Sequence, residues 1–533
     1  MKFIENSYQV EYSTSIKEWN KIYLFQQFFM HKNEERLNEI RYCLKANCNN
    51  DSIETVYLLN EKPDCIMYTP LELGVNEKEW NKIMQIPMGH RMNYSDVIHY
   101  VKMINLDGYI IIANADIFFD ESLHILKSID LINKPTMFSQ LRYEFDGNYN
   151  NIKIFGPRND SQDAWIYHTT YNERLYKHLR AFKFQLGQAG CDNHISYLFK
   201  MFGFNIINDP MLIHCLHYHK TQIREYTQDN SIKSPYMFIN VNGSAPLKNH
   251  DVHFDDNKKL FDYISLKLKC KQSFIIPRIA GVENNVAHTK SLVRADVMKN
   301  NAGIKLTNQK SVEYYSKLYL KAFSNCEIYC LWEKHGDVYR GISASQDFVE
   351  HMVCSINTQK CWAFALDIFH YIYSNAWTTA LRGKRILIVS AFTDSIEKKI
   401  PIREKIYGID LFPECTFLFI KPPQTQGNNK SDEWNIELVN FYERLNELQG
   451  LYDVALVSAG GYGNIICNFI YEIHGASAIY VGGVLQMYFG LLGNRWLNER
   501  ASVVRAFINE HWSRPMISER PDGHASVEGA CYW

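Results

Sequence analysis

The sequence predicts an α/β protein with two Rossmann-like, doubly wound domains. Continuous apolar runs at residues 108–113 and 385–390 end in polar or glycine-containing turns, a pattern typical of buried parallel strands. Segments with helical spacing separate such runs, as in alternating strand and helix units. The length of 533 residues fits two to four domains of about 100–200 residues each.

In the first half, apolar runs at residues 22–25, 55–59 and 108–113 indicate strands. Residues 34–44 place apolar side chains on neighbouring turns, which indicates a helix. This alternation predicts a doubly wound first domain over residues 1–227.

The stretch that follows is polar and contains Pro235 and Pro246. It predicts a linker at 228–264. The remaining residues, 265–533, form the second predicted domain. Its apolar runs predict five strands, at 273–277, 385–390, 416–420, 453–458 and 478–481, and the spacing at 313–323 predicts a helix.

Composition excludes several classes of protein. The 57 Lys and Arg are balanced by 58 Asp and Glu, which argues against a nucleic-acid binder with a basic surface. No apolar run is long enough for a transmembrane helix and no secretory signal is evident. The 13 cysteines lack a CxxC pair, so we expect a reducing, cytoplasmic environment. The 14% aromatic content suits either core packing or stacking on sugar or base rings.

The first-half strand at 108–113 runs into Asn114-Ala115-Asp116, and Asp120 follows closely. A carboxylate directly after a buried strand lies at the carboxyl edge of the sheet. Hard oxygen ligands there suit Mg²⁺ or Mn²⁺, which can hold a diphosphate. The alternative interpretation is an acidic turn without a ligand.

Further motifs follow in the same half of the chain: residues 161–165, residues 187–193, His214, His217, His219, Arg224 and Tyr226. Together with 114–116 they resemble nucleotide-sugar glycosyltransferases of the GT-A fold, over about residues 15–227. The resemblance implies that Asp116, with Asn114 in place of a first Asp, binds a Mn²⁺– or Mg²⁺–diphosphate. It also implies that His217 or His219 is a further metal ligand, although each histidine taken singly suits a surface or core position.

Glycosyl transfer with inversion needs a base that accepts a proton from the acceptor hydroxyl. The resemblance implies a carboxylate near a helix start, late in the domain. Asp192 precedes a segment with helical spacing and is the first candidate, and Asp163 is the second. An Asp at that place would also suit a helix N-cap.

The second half carries glycine-rich turns after two predicted strands. One turn contains Gly460, Gly461 and Gly463, and the other contains Gly482 and Gly483, with Gln486 close behind. Such turns leave backbone N–H groups accessible to phosphate at a helix start. We therefore expect a nucleotide to lie over them.

These turns, with separated motifs up to the C-terminal residues, resemble a GT-D-type glycosyltransferase domain of bacterial and viral surface-glycan loci, over about residues 265–533. In the family's Arg-x-Gly-Asp-Gly-Glu motif the Asp and Glu bind metal and nucleotide. Arg278 and Glu283 match that motif, whereas Gly281 replaces the Asp. The resemblance implies a role for Arg278 in donor binding and for Glu283 in catalysis, with weaker metal dependence in this half.

The leading hypothesis is a bifunctional glycosyltransferase: each half uses a nucleotide-sugar donor, a UDP- or GDP-sugar, to extend a glycan acceptor. The second hypothesis is one active transferase fused to a degenerate binding or scaffold domain. The third is an NAD-dependent oxidoreductase. Ile465 breaks the dinucleotide-binding glycine pattern, and no acidic residue follows the strand at 478–481, which argues against the third.

Overall fold

The computed structural model describes residues 2–5, 21–129, 131, 133–223, 231–244, 254–332, 342–499 and 501–533. The chain divides into two compact units, Met1–Phe254 and Asp255–Trp533. Both units are mixed α/β, which confirms the predicted class. No helix among the described residues is long and apolar enough to cross a membrane.

The first unit is built on a seven-stranded sheet. Its strands, in spatial order, are Asn205–Ile207, Thr136–Gln140, Ala164–His168, Tyr109–Ala113, Ile22–Phe28, Thr55–Asn60 and Ile83–Pro87. Ala164–His168 runs antiparallel to both neighbours, and every other pairing in the sheet is parallel. The carboxyl ends of the central parallel strands therefore meet at one edge.

Both faces of this sheet are buried. Leu24 and Ile111 belong to one apolar cluster with helix Glu34–Asn49. On the other face, Phe25 and Tyr57 contact Tyr100 of helix Tyr94–Met103. The other helices of this unit are Pro70–Leu73, Glu77–Trp80, Asn172–Lys177 and Cys191–Met201.

The first unit also contains a smaller, four-stranded sheet. Its order is Ile117–Phe119, Cys215–His217, Arg142–Glu144 and Lys153–Ile154. A separate two-stranded pairing joins Lys2–Glu5 to Tyr236–Ile239 in parallel. The stretch predicted as a linker thus contains a strand of the first unit, and helix Asp256–Lys269 of the second unit begins within it.

The second unit contains a five-stranded, wholly parallel sheet. Its spatial order is Ile275–Ile276, Ser477–Tyr480, Val454–Ser458, Arg385–Ser390 and Thr416–Ile420. Leu387 and Val389 belong to the main apolar cluster, while Ile386 and Ile388 are equally buried on the other face. Burial on both faces explains why the central strand Arg385–Ser390 is an unbroken apolar run in the sequence.

The predicted helix at 313–323 lies within Gln309–Ser324, whose buried side chains include Tyr315 and Tyr319. Ile328–Leu331 and Gln359–Trp362 form a separate parallel pair. The remaining helices are Gly281–Thr289, Ala295–Val297, Ser343–Phe348, Thr393–Lys399, Arg403–Tyr407, Trp434–Asn446, Gly463–Phe469, Asn494–Glu499 and Ala501–Val504.

Candidate functional site

Asp116 lies at the carboxyl edge of the large sheet in the first unit. It follows the central strand Tyr109–Ala113 and precedes Ile117–Phe119 of the small sheet. Only 8% of its surface is exposed. The chain between the two strands therefore turns the carboxylate into the interior at a junction of two sheets.

His217 and His219 lie beside this carboxylate. Asp116 Oδ2 is 3.3 Å from His217 Nε2 and 3.4 Å from His219 Nδ1. One ligand atom from each of the three residues can be chosen so that all lie within 4.8 Å of one another, and all three residues are buried. The structure thus brings together the three residues that the sequence analysis assigned to a metal.

This donor set fits a divalent cation. One carboxylate and two imidazoles are ligands that Mn²⁺ accepts, and carboxylate oxygen also suits Mg²⁺. His219 Nε2 is buried and has no hydrogen-bond partner among the described residues. An unpaired buried nitrogen is costly, so a ligand at this place would relieve it.

Arg36 also reaches the carboxylate. Its guanidinium donates to Asp116 Oδ2 at 2.5 Å and to Glu39 at 3.0 Å. Burial by itself would raise the pKa of Asp116, but His217, His219 and Arg36 outweigh it and hold that pKa well below its usual range. The carboxylate is therefore charged, and Arg36, His217 and His219 converge on its Oδ2 atom.

His217 has a second acidic neighbour. Its Nδ1 lies 3.1 Å from Glu144, on the neighbouring strand Arg142–Glu144. Burial would lower the pKa of His217, but Asp116 and Glu144 together raise it to about 9. A carboxylate on the far nitrogen orients the ring, as second partners of metal-binding histidines do.

An unbroken ionic network links these residues to Asp163. Arg142 donates to Glu144 at 2.8 Å and to Asp163 at 3.0 Å. Asp163 in turn accepts a 2.8 Å hydrogen bond from the Asn114 side chain. Asn114 is a predicted donor-binding residue and Asp163 is the second candidate base, and this network links both of them to Asp116 through Arg142, Glu144 and His217.

Asp192 lies in the first turn of helix Cys191–Met201. The N-cap is Gly190, so Asp192 is not the capping residue. Loss of solvent around its carboxyl group, reinforced by the charge of Asp163, raises the pKa of Asp192 to about 7. A carboxyl group that titrates near neutrality can accept or donate a proton at physiological pH.

Other residues of the first unit stand outside this cluster. Asp120 pairs with His214 at 2.7 Å and accepts from the backbone N–H of Ser122, so it is engaged elsewhere. Arg224 and Tyr226 lie outside the described residues. Arg142 and Glu144 were missed by the sequence analysis, because only the pairing of distant strands brings them to His217.

The second unit has a cavity of about 410 Å³ at the carboxyl edge of its parallel sheet. All five strands contribute to it through the residues that follow their ends. These include Arg278, Phe392, Gln424, Gly460 and Gly482. The carboxyl edge of an open parallel sheet is the usual place for a ligand in this class of fold.

Glu283 and Arg278 both line this cavity. Glu283 is 8% exposed, and burial, with a smaller contribution from Glu528, raises its pKa to about 7. The Arg278 guanidinium donates to the Val481 carbonyl at 2.6 Å and lies over the Trp332 ring. Gly281, which lies between these two residues in the sequence, also lines the cavity and is uncharged.

The glycines of the second unit divide into two groups. Gly460, Gly482 and Gly483 line the cavity, whereas Gly461 and Gly463 lie behind its wall. A Cβ at Gly461 would overlap Ile304, and one at Gly463 would overlap the Tyr480 ring. Close packing accounts for the absence of side chains at these last two positions.

Gln486 is also placed behind the wall. It is 1% exposed and donates to the carbonyls of Leu491 and Tyr532 at 3.0 and 3.1 Å. Tyr532 itself lines the cavity. Gln486 therefore fixes a residue of the wall and makes no contact with the cavity.

No model of a known family matches the chain, and no curated protein matches it. Among solved structures, a mannosyltransferase from Pyrobaculum calidifontis, in complex with GDP-Man and Mn²⁺, is 10% identical with a TM-score of 0.27. That match covers 40% of this chain and 62% of the other, less than two thirds of its length. A 4-diphosphocytidyl-2C-methyl-D-erythritol synthase is 8% identical with a TM-score of 0.22, covering 40% and 95% of the two chains. S. aureus TarS 1–349 is 11% identical with a TM-score of 0.22, covering 57% and 79%.

Proposed function

We propose that the first unit is a metal-dependent glycosyltransferase that uses a nucleotide-sugar donor, a UDP- or GDP-sugar. The observation that carries this proposal is the buried Asp116–His217–His219 cluster at the carboxyl edge of the central strand. The nearby Asp163 and Asp192 add a carboxyl pair of which one member titrates near pH 7. The GT-A-like motifs of residues 15–227 supply the reaction class.

Asp116, His217 and His219 would hold Mn²⁺ or Mg²⁺. When bound, the cation would supply positive charge for the diphosphate of the donor. Arg36 lies 2.5 Å from Asp116 Oδ2 and would keep the carboxylate oriented toward the cation. Glu144 would hold the His217 ring through its Nδ1.

Asp192 would act as the base. Its carboxylate form accepts the proton of an acceptor hydroxyl, and its pKa of about 7 places this exchange near neutral pH. Asp163 is held by Arg142 and Asn114 and stays available as the second candidate. Its charge is one cause of the raised pKa of Asp192, so the two residues act as a pair.

A second donor site in the other unit is supported by its own observation. The ends of all five parallel strands meet at one cavity that contains Glu283 and Arg278. A nucleotide-sugar there, over Gly460, Gly482 and Gly483, would make the chain bifunctional. The competing proposal is a degenerate, non-catalytic second unit.

Donor hydrolysis by the full chain tests the proposal. A panel of UDP- and GDP-sugars is incubated with Mn²⁺, with Mg²⁺ or with EDTA, and released nucleoside diphosphate is measured. We expect at least one donor to be hydrolysed with a divalent cation and to be spared with EDTA. No hydrolysis of any donor, together with tight binding of NAD in calorimetry, would favour an oxidoreductase.

A further inference from the structure

A groove of about 1100 Å³ runs along helix Glu34–Asn49 in the first unit. One wall is the helix face that presents Asn38, Tyr42, Lys45 and Asn49, spaced three or four residues apart. The other lining residues include Asn50, Glu79, Phe118, Asp120, Glu121 and Tyr149. Neither the metal cluster nor the Asp163–Asp192 pair lines this groove.

Aromatic rings form the floor of the groove. Tyr42 is 38% exposed and Tyr149 is 58% exposed. The buried Phe145 ring packs against both, with its centroid 5.9 Å from that of Tyr42 and 5.0 Å from that of Tyr149. Phe118 packs against Tyr42 from another side at 5.6 Å. The exposed rings are therefore held in place, and a fixed amphipathic ring is a good platform for the apolar face of a sugar.

Polar side chains with unused hydrogen-bonding capacity surround these rings. In the part of the chain that the structure describes, no hydrogen bond or ion pair engages the side chains of Asn38, Lys45 and Glu121. They offer an amide, an ammonium group and a carboxylate, which together can both donate to and accept from hydroxyl groups. A ligand rich in hydroxyls satisfies such a mixed set.

The charges of the groove disfavour a phosphorylated ligand. Four carboxylates line it, against two cations. The carboxylates belong to Asp51, Glu79, Asp120 and Glu121, and the cations to Arg41 and Lys45. A polyanion would meet net repulsion here, whereas an uncharged chain would not. This separates the groove from a nucleotide or nucleic-acid site.

We propose that this groove binds a neutral oligosaccharide, the body of the glycan acceptor, an assignment that rests on the proposed glycosyltransferase function. The aromatic floor continues to Tyr218, whose ring lies 4.9 Å from that of Tyr42. Tyr218 stands between His217 and His219 in the sequence. The Tyr218 end of the floor is therefore joined to two of the metal ligands by one peptide bond on each side. On this proposal, the end of the glycan nearest Tyr218 is the end that receives the sugar.

Binding of defined neutral oligosaccharides to the full chain tests this assignment. Mannopentaose, cellopentaose and chitopentaose are titrated while intrinsic fluorescence and saturation-transfer NMR signals are recorded. We expect at least one of them to bind with a millimolar or lower Kd. Tyr149→Ala, at a highly exposed position, should weaken that binding about tenfold, and Tyr42→Ala should weaken it at least as much.

The matched control is Tyr314→Ala, which removes a 50% exposed tyrosine from the second unit and should leave binding unchanged. The proposal is overturned if none of the three pentasaccharides binds, or if both groove variants bind like the wild type. Donor hydrolysis without added oligosaccharide is measured for the wild type and for Tyr314→Ala, and should be the same in both. If the wild type hydrolyses no donor but binds a pentasaccharide that the groove variants do not bind, the glycosyltransferase proposal is rejected. The groove then remains an oligosaccharide-binding site.

Discussion

The two units place charged side chains at the carboxyl edges of their main sheets, but the charges differ in kind. In the first unit, Asp116 and two histidines form a buried cluster suited to a cation. In the second, Arg278 and Arg495 line the cavity together with Glu283 and Glu528. Arg495 pairs with Glu528, and the Arg278 guanidinium lies 4.7 Å from the centre of the Trp332 ring.

Two similar sheet edges can therefore bind an anion in different ways. A carboxylate–imidazole cluster needs a cation between itself and a diphosphate, whereas guanidinium groups contact phosphate directly. Gly281, where the resembling family has an Asp, removes one further charge that would hold a metal. We therefore expect metal dependence to be strong in the first unit and weak in the second.

The largest effect should come from Asp116→Ala. Removing the carboxylate on which Arg36, His217 and His219 converge should reduce metal-dependent donor hydrolysis to background. Hydrolysis is measured at saturating Mn²⁺ and donor, with circular dichroism to check the fold. Asp120→Ala, which removes a carboxylate paired with His214, is the control and should remain active. An equal loss of donor hydrolysis in both variants would contradict the assignment of Asp116, and not Asp120, as the metal ligand.

Asp192→Asn should lower turnover by roughly 10²–10⁴-fold, the usual contribution of a general base, with little change in donor affinity. The amide cannot take up a proton but retains most of the shape. Steady-state kinetics and donor titration are compared with those of Asp160→Asn, an exposed aspartate of the same unit. If Asp192→Asn lowers donor affinity and leaves turnover unchanged, Asp163 is the better candidate for the base.

Glu283 should make the stability of the second unit depend on pH. The pKa of Glu283 is about 7 in the folded chain, above its usual 4.5. Between pH 4.5 and 7, the carboxyl group is therefore protonated in the folded state and ionised in the unfolded state. The free energy of unfolding should therefore fall as pH rises through this window, by at most about 3 kcal/mol. Glu283→Gln should flatten the profile in urea titrations, whereas the exposed Glu443→Gln should not. If the free energy of unfolding depends on pH in the same way in Glu283→Gln and in the wild type, burial does not raise the pKa of Glu283.

A smaller effect concerns the backbone at the cavity of the second unit. Gly482 has φ +73° and a Cβ there would overlap the Arg278 guanidinium, while Gly475 has φ +64° and open space around it. Both alanine variants carry the backbone strain, but only Gly482→Ala displaces Arg278. We expect the free energy of unfolding of Gly482→Ala to be about 1 kcal/mol lower than that of Gly475→Ala, because the displaced guanidinium loses its hydrogen bond to the Val481 carbonyl. Equal urea midpoints would show that Arg278 yields without cost.

The main strands were predictable from local sequence. The apolar runs at 55–59, 385–390 and 416–420 match the strands Thr55–Asn60, Arg385–Ser390 and Thr416–Ile420. The first two are buried on both faces, and Thr416–Ile420, at the edge of its sheet, is partly buried, yet all three are apolar enough for hydrophobicity alone to indicate them. The carboxyl-edge position of Asp116 followed from the strand before it in the same way.

Features that depend on pairing between distant segments were not predictable. The polar neighbours of strand Tyr236–Ile239 predict a linker, yet the strand pairs with Lys2–Glu5. Arg142 and Glu144 reach His217 only through a parallel pairing with Cys215–His217. The glycines behind the cavity wall likewise follow a turn pattern that packing and phosphate binding share, so the sequence could not separate the two roles.

The binding of Mn²⁺ by the full chain tests the central claim most directly. Electron paramagnetic resonance counts bound Mn²⁺ in the wild type, in Asp116→Ala and in Asp347→Asn, which alters the more exposed Asp347–Glu350–His351 group. The account predicts that Asp116→Ala loses one tightly bound ion per chain, whereas Asp347→Asn keeps it. Undiminished tight binding in Asp116→Ala would contradict the assignment of the metal site, and with it the proposed metal-dependent transfer in the first unit.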